Sequence, residues 1–141
     1  HWGIIGGFKW LGLYGINQMP NSDYAPTIPY MAFVIFQAMF AIITPALITG
    51  ALVERIKFSG FIIFIILWAT FVYDPIAHWV WGMGGWMKNM GVLDFAGGLV
   101  VHISAGISAL AAVLVVGKRL GFRKVPMEPN NVPITVLGGS L

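Results

Sequence analysis

Three long stretches without formal charge divide this chain. No Asp, Glu, Lys or Arg occurs from Tyr24 to Val53, from Phe58 to Tyr73, or from Phe95 to Gly117. An α-helix rises about 1.5 Å per residue and a bilayer core is about 30 Å thick, so about 20 apolar residues cross it. The pattern predicts membrane helices over about 31–53, 58–73 and 95–117. Residues 1–30 interleave Gly3, Gly6, Gly7, Pro20, Pro26 and Pro29 with Asn and Ser, a composition for turns, and read as an outer loop. The second helix is expected to stop at Tyr73-Asp74-Pro75, where proline removes a backbone donor and an aspartate would be costly in lipid. After Pro133 the apolar run resumes, and a further helix is expected to begin over about 132–141. The chain therefore reads as a fragment, which His1 at the first position also fits. Ser104, Ser108 and Ala112 recur at spacing four, the small-residue stripe that lets membrane helices pack closely.

The fold class is all-α, a polytopic membrane helix bundle. Composition supports it, with 58% hydrophobic and 9% charged residues and a mean hydropathy of +0.84. The net charge of +3 is informative through its placement. Arg55 and Lys57 follow the first helix, and Lys118, Arg119, Arg123 and Lys124 follow the third, so those loops are expected on the cytoplasmic side. Lys9 and Lys88 then fall on the outer face. Basic residues placed this way orient a membrane protein, and no nucleic-acid partner is implied. With no cysteine, disulfides and thiolate metal sites are excluded.

Few groups are equipped for chemistry. There is no nucleophile with a partnered base, no phosphate-binding glycine loop and no carboxylate cluster, so an enzyme is not expected, nor a cofactor. His1, His78 and His102 are too scattered for a metal site, and His78 falls in what reads as a turn between Pro75 and Trp81. Two features remain. Asp94 precedes the third helix and is placed to cap it by accepting from amides near Ala96 or Gly97. Eight residues on, about 12 Å deeper, His102 lies near the membrane centre, where a titratable group is costly and points to function. Phe36 and Phe40 share a helix face at i and i+4, a spacing more often found in plain cores. Trp79, Trp81 and Trp86 read as interfacial anchors. Rings attract cations through their quadrupole, so an aromatic line leading to one imidazole suits a small cation or its neutral form.

The run DFAGGLVVHISAGISALAAVLVVGKR, Asp94 to Arg119, closely resembles the signature of the Amt/Mep/Rh ammonium transporters, bacterial Amt type. FQAMFAIITPALITGALVER, from Phe36 to Arg55, and PIAHWVWG, from Pro75 to Gly82, resemble the same family in the same order. The resemblance implies a fragment of an eleven-helix, inverted-repeat transporter that assembles as a homotrimer in a bacterial or archaeal cell (inner) membrane. It implies that Trp81 and Phe36 recruit ammonium, that Phe40 is one of two gate phenylalanines, and that His102 is one of a pair of pore histidines that relay a proton. Asp94 would support the recruitment site from behind, and a PII-type regulator would face the loop from Lys118 to Asn131. Pro45 departs from the aliphatic residue of that pattern and is expected to kink the first helix a turn below Phe40. The loop before Asp94 is one residue longer. Competing readings are an ammonium-sensing membrane module, a channel for another small neutral solute such as urea, and a structural membrane scaffold.

Overall fold

The computed structural model describes residues 3–126, 128 and 130–141, so His1 lies outside the described residues. All regular structure among them is helical. Three helical stretches are long and apolar enough to cross a membrane, Tyr30–Leu52, Phe58–Asn89 and Gly98–Val116.

Helix α1 (Tyr30–Leu52) follows Pro29 and ends where Glu54 turns to a φ of +61°. It passes through Pro45 as one continuous helix, with the Thr44 hydroxyl donating back to the Phe40 carbonyl just above the proline.

The second stretch corrects the expected stop at Tyr73. Helix α2 (Phe58–Trp68) runs into a π-helical segment, Ala69–Tyr73, and then directly into α3 (Asp74–Trp81). Pro75 sits in the first turn of α3, where its missing N–H matters least. The wider π turn ahead of it makes room for a ring that would otherwise meet the carbonyl four residues back. His78 is therefore on a helix rather than in a turn. A short α4 (Trp86–Asn89) follows after a tight turn.

The third stretch begins with Gly97 in the left-handed region, φ +86°, then a π-helical segment, Gly98–Ile103, and α5 (Ser104–Val116). In that segment the amides of Val101 and His102 both donate to the Gly97 carbonyl, at 2.9 and 3.0 Å. Beyond it, α6 (Val132–Ser140) is capped by Asn131, whose Oδ1 accepts from the Ile134 amide at 3.0 Å.

The core lies where α1 and α5 pack together, with Ile48, Leu52, Trp68, Tyr73, Val80, Val100 and Ala105 buried in one cluster. Small residues permit the approach: Ser104 is buried, and Ser108 accepts from the Trp68 indole at 2.8 Å, tying α5 to α2. At the basic end, two arginines close the ends of α1 and α5. Arg55 donates to the carbonyls of Ala51, 2.7 Å, and Gly117, 2.8 Å, while Arg119 reaches the Gly50 carbonyl at 3.3 Å. Cations suit the negative end of a helix, so these residues stabilise the ends of α1 and α5. At the opposite end the N-terminal loop is pinned by the Trp79 indole, which donates to the Ile4 carbonyl at 2.7 Å.

Candidate functional site

Four of the five residues singled out in the sequence form one connected group. Phe36 and Phe40, a turn apart on α1, meet edge to face with ring centroids 5.0 Å apart. Phe40 meets the Trp81 ring at 5.6 Å, again near edge to face. Trp81 ends α3, and its indole N–H donates to the Asp94 carbonyl at 2.9 Å. In each edge-to-face contact the positive edge of one ring meets the negative face of the other. Phe36 is 56% exposed, so its ring is open at the margin of the unit.

Asp94 fixes this arrangement from behind. Oδ1 accepts from the amides of Gly97 and Gly98, both at 2.8 Å, and Oδ2 from those of Leu99 and Val100, both at 2.9 Å. One carboxylate thus satisfies all four amides that a helix start leaves free. The sequence foresaw a cap at Ala96 or Gly97, and the observed bonds reach deeper. Burial pushes the Asp94 carboxyl up, but the bonds from Val100, Leu99, Gly97 and Gly98 outweigh it and hold the group below its ordinary 3.8. Asp94 is therefore a carboxylate at neutral pH, with its charge spread over the helix start.

His102 lies five residues beyond Gly97 in the π-helical segment, about 7 Å further along the helix axis. Its side chain is exposed on the unit and makes no hydrogen bond to the described residues, so it is not part of the connected aromatic group. Its neighbours Val100 and Val101 are buried, which fixes the direction in which the imidazole leaves the helix. Single-turn π segments recur at functional positions in helices, and here one carries the histidine.

Two residues of this region escaped the sequence reading. A side chain at Gly97 would meet Val101 Cγ2 at 2.7 Å and stand 3.7 Å from Trp81 Cη2, so this glycine is required by both its φ and its closeness to the indole. Its only signal was the Gly97-Gly98 pair after Asp94. Lys88, in α4, donates through Nζ to the Trp81 carbonyl at 3.1 Å, which its position in a glycine-rich loop did not announce. His78 faces a separate cleft of about 380 Å³ bordered by Gly6, Lys9, Trp10, Asp23, Tyr24 and Met83. Gly82 is needed there too, because a β-carbon would collide with the His78 ring.

Three helical stretches of membrane-spanning length, with an aromatic cluster at the end opposite the basic loops and a histidine within the third, define an integral membrane protein. The family model described as Ammonium Transporter Family matches residues 2–141. The chain belongs to that family, whose members are transporters rather than enzymes. It is 50% identical over 138 residues to an ammonium transporter of Bacillus subtilis and 47% identical over 139 residues to ammonium transporter Amt1 of Archaeoglobus fulgidus. These alignments cover 98% and 99% of this chain and 33% of each relative, so the chain spans about a third of their length. Among solved structures, Candida albicans Mep2 superposes with a TM-score of 0.79 at 36% identity, covering 96% of this chain and 30% of that one.

Proposed function

We propose that the protein carries ammonium across a membrane, with its outer recruitment site and the first part of its pore in this chain. The observation that supports this most directly is the unbroken series from Phe36 through Phe40 to Trp81, mounted on the Asp94 cap, with His102 about 7 Å beyond Gly97 along the helix that the cap starts. A bare ion cannot cross the hydrocarbon core, since burying an isolated charge is prohibitive. Ring faces offset part of that cost for a weakly hydrated cation, by about 0.5–2 kcal/mol each. Trp81 and Phe36 gather ammonium, Phe40 swings aside, and the ion gives up one proton to become ammonia. The neutral molecule then passes His102.

In this reading His102 shares a hydrogen bond with a second histidine from another part of the protein, which sets both tautomers and offers a route for the released proton. The exposed faces of Phe36 and His102 are where further helices complete the pore. A homotrimer in a bacterial or archaeal cell membrane, open to a PII-type regulator at the basic loops, is the assembly that the family resemblance favours.

The test uses the full-length protein in liposomes. Trp81→Leu removes one ring face and is expected to raise the apparent KM for methylammonium about 2- to 30-fold, the range that 0.5–2 kcal/mol spans. An unchanged KM, or urea flux equal to methylammonium flux in the parent protein, would overturn the reading.

A further inference from the structure

Lys88 closes the end of α3. Its Nζ donates to the carbonyl of Trp81, the last residue of that helix, and lies 3.4 Å from the Met83 sulfur. As a fastening this is ordinary, because a lysine at a helix C-terminus meets unsatisfied carbonyls and the negative end of the dipole. The residue it fastens is not ordinary: Trp81 is the one whose ring meets Phe40 in the aromatic series. A full positive charge is therefore held beside the mouth that the proposed function assigns to a cation.

No carboxylate among the described residues forms an ion pair with it. Among the described residues the ion pair within 4 Å is Arg119 with Glu54, at the opposite end of the helices, and Lys88 pairs with no carboxylate. Asp94 is the acidic group nearest in the chain; its negative charge, held by four amides, acts on the same mouth with or without Lys88, so substituting Lys88 isolates the share of the lysine. Lys9 stands over the Trp10 ring, 4.9 Å from its centroid. The carbonyl and the indole of one tryptophan lie within about 8 Å of each other by covalent reach, which keeps Nζ within about 11 Å of the ring.

We infer that Lys88 raises the electrostatic potential of the mouth and so holds down the apparent affinity for ammonium and its alkyl analogues. This deepens the proposed function and rests on it. One unit charge at about 10 Å in a water-like medium changes the local concentration of a monovalent cation about 2-fold. The Debye length is about 10 Å at 0.1 M salt and about 3 Å at 1 M, so the effect fades as salt rises.

The experiment follows charge rather than shape. Full-length protein is reconstituted in phosphatidylcholine vesicles, whose neutral surface adds no field, and methylammonium uptake is measured at 10 mM and 1 M ionic strength, values of about 30 and 3 Å in Debye length. At low salt Lys88→Arg leaves KM unchanged, Lys88→Gln lowers it about 2-fold, and Lys88→Glu lowers it about 4-fold. At 1 M salt the four proteins converge. A fastening without an electrostatic role gives a different pattern, with Gln and Glu equally impaired at both salt concentrations, and that result would overturn the inference while leaving ammonium transport intact. A KM that does not order with charge would overturn it equally. A parent protein that carries no methylammonium would overturn both readings.

Discussion

Replacing Asp94 separates a cap made by a carboxylate from a cap made by any polar side chain. The carboxylate is acceptor-only, and each oxygen takes two amides, at 2.8 and 2.9 Å. In Asp94→Asn the amide oxygen keeps one pair, while Nδ2 has no lone pair and points its own hydrogens at the other two N–H groups. In Asp94→Ala all four are released. A single helix cap contributes about 0.5–2 kcal/mol, and bonds to an ionised acceptor fall at the strong end. Four such bonds at a partly buried helix start lead to a loss of about 2–4 kcal/mol for alanine and about half that for asparagine. Thermal unfolding of the detergent-solubilised full-length protein should fall in the order Asp, Asn, Ala. The sign of the pH dependence follows from the depressed carboxyl. Its contribution is complete above the unfolded value near 3.8 and is lost as pH falls through the lower folded value. The gap between parent and Asp94→Asn should thus be constant through neutral pH and narrow only in acid below that value. An asparagine variant as stable as the parent, or an alanine variant no worse than asparagine, would refute the reasoning.

Other substitutions probe the supports of the same frame. Trp68→Phe keeps the buried ring but frees Ser108 Oγ, and should cost about 0.5–1.5 kcal/mol in the same unfolding assay, with transport little changed. Arg55→Ala uncovers the Ala51 and Gly117 carbonyls together and should loosen the basic ends of α1 and α5, read as faster amide exchange over residues 113–117 and 49–53. Gly97→Ala forces a β-carbon against Val101 and an unfavourable positive φ, so it should lower the unfolding temperature and shift the emission of Trp81 measured in a background lacking the other tryptophans.

The all-helical membrane architecture was legible because charge-free runs of spanning length are hard to read any other way, and the motif around Asp94 and His102 carried the family. The C-terminal end of the second helix was not legible. Asp74-Pro75 has the local chemistry of a stop, and what overrides it is the π-helical segment at Ala69–Tyr73. No residue type marks a π turn, which arises from how the chain is held by its neighbours. The helix spacing of Phe36 and Phe40 brought those rings together in advance, but their contact with Trp81 depends on α3 continuing through Pro75 to reach them. The arginines after α1 and α5 were read as orientation signals, and their second role as reciprocal closures needed three dimensions. Lys88 is similar: an outer-face charge in sequence, a ligand of the Trp81 carbonyl in space.

The account turns on His102 standing in the path of the transported molecule. The direct measurement is the transport current of the full-length protein on a supported membrane, comparing the parent with His102→Ala for ammonium and for potassium. The account predicts that the variant loses the ammonium current or ceases to prefer ammonium over potassium. An unchanged current with unchanged preference would contradict it.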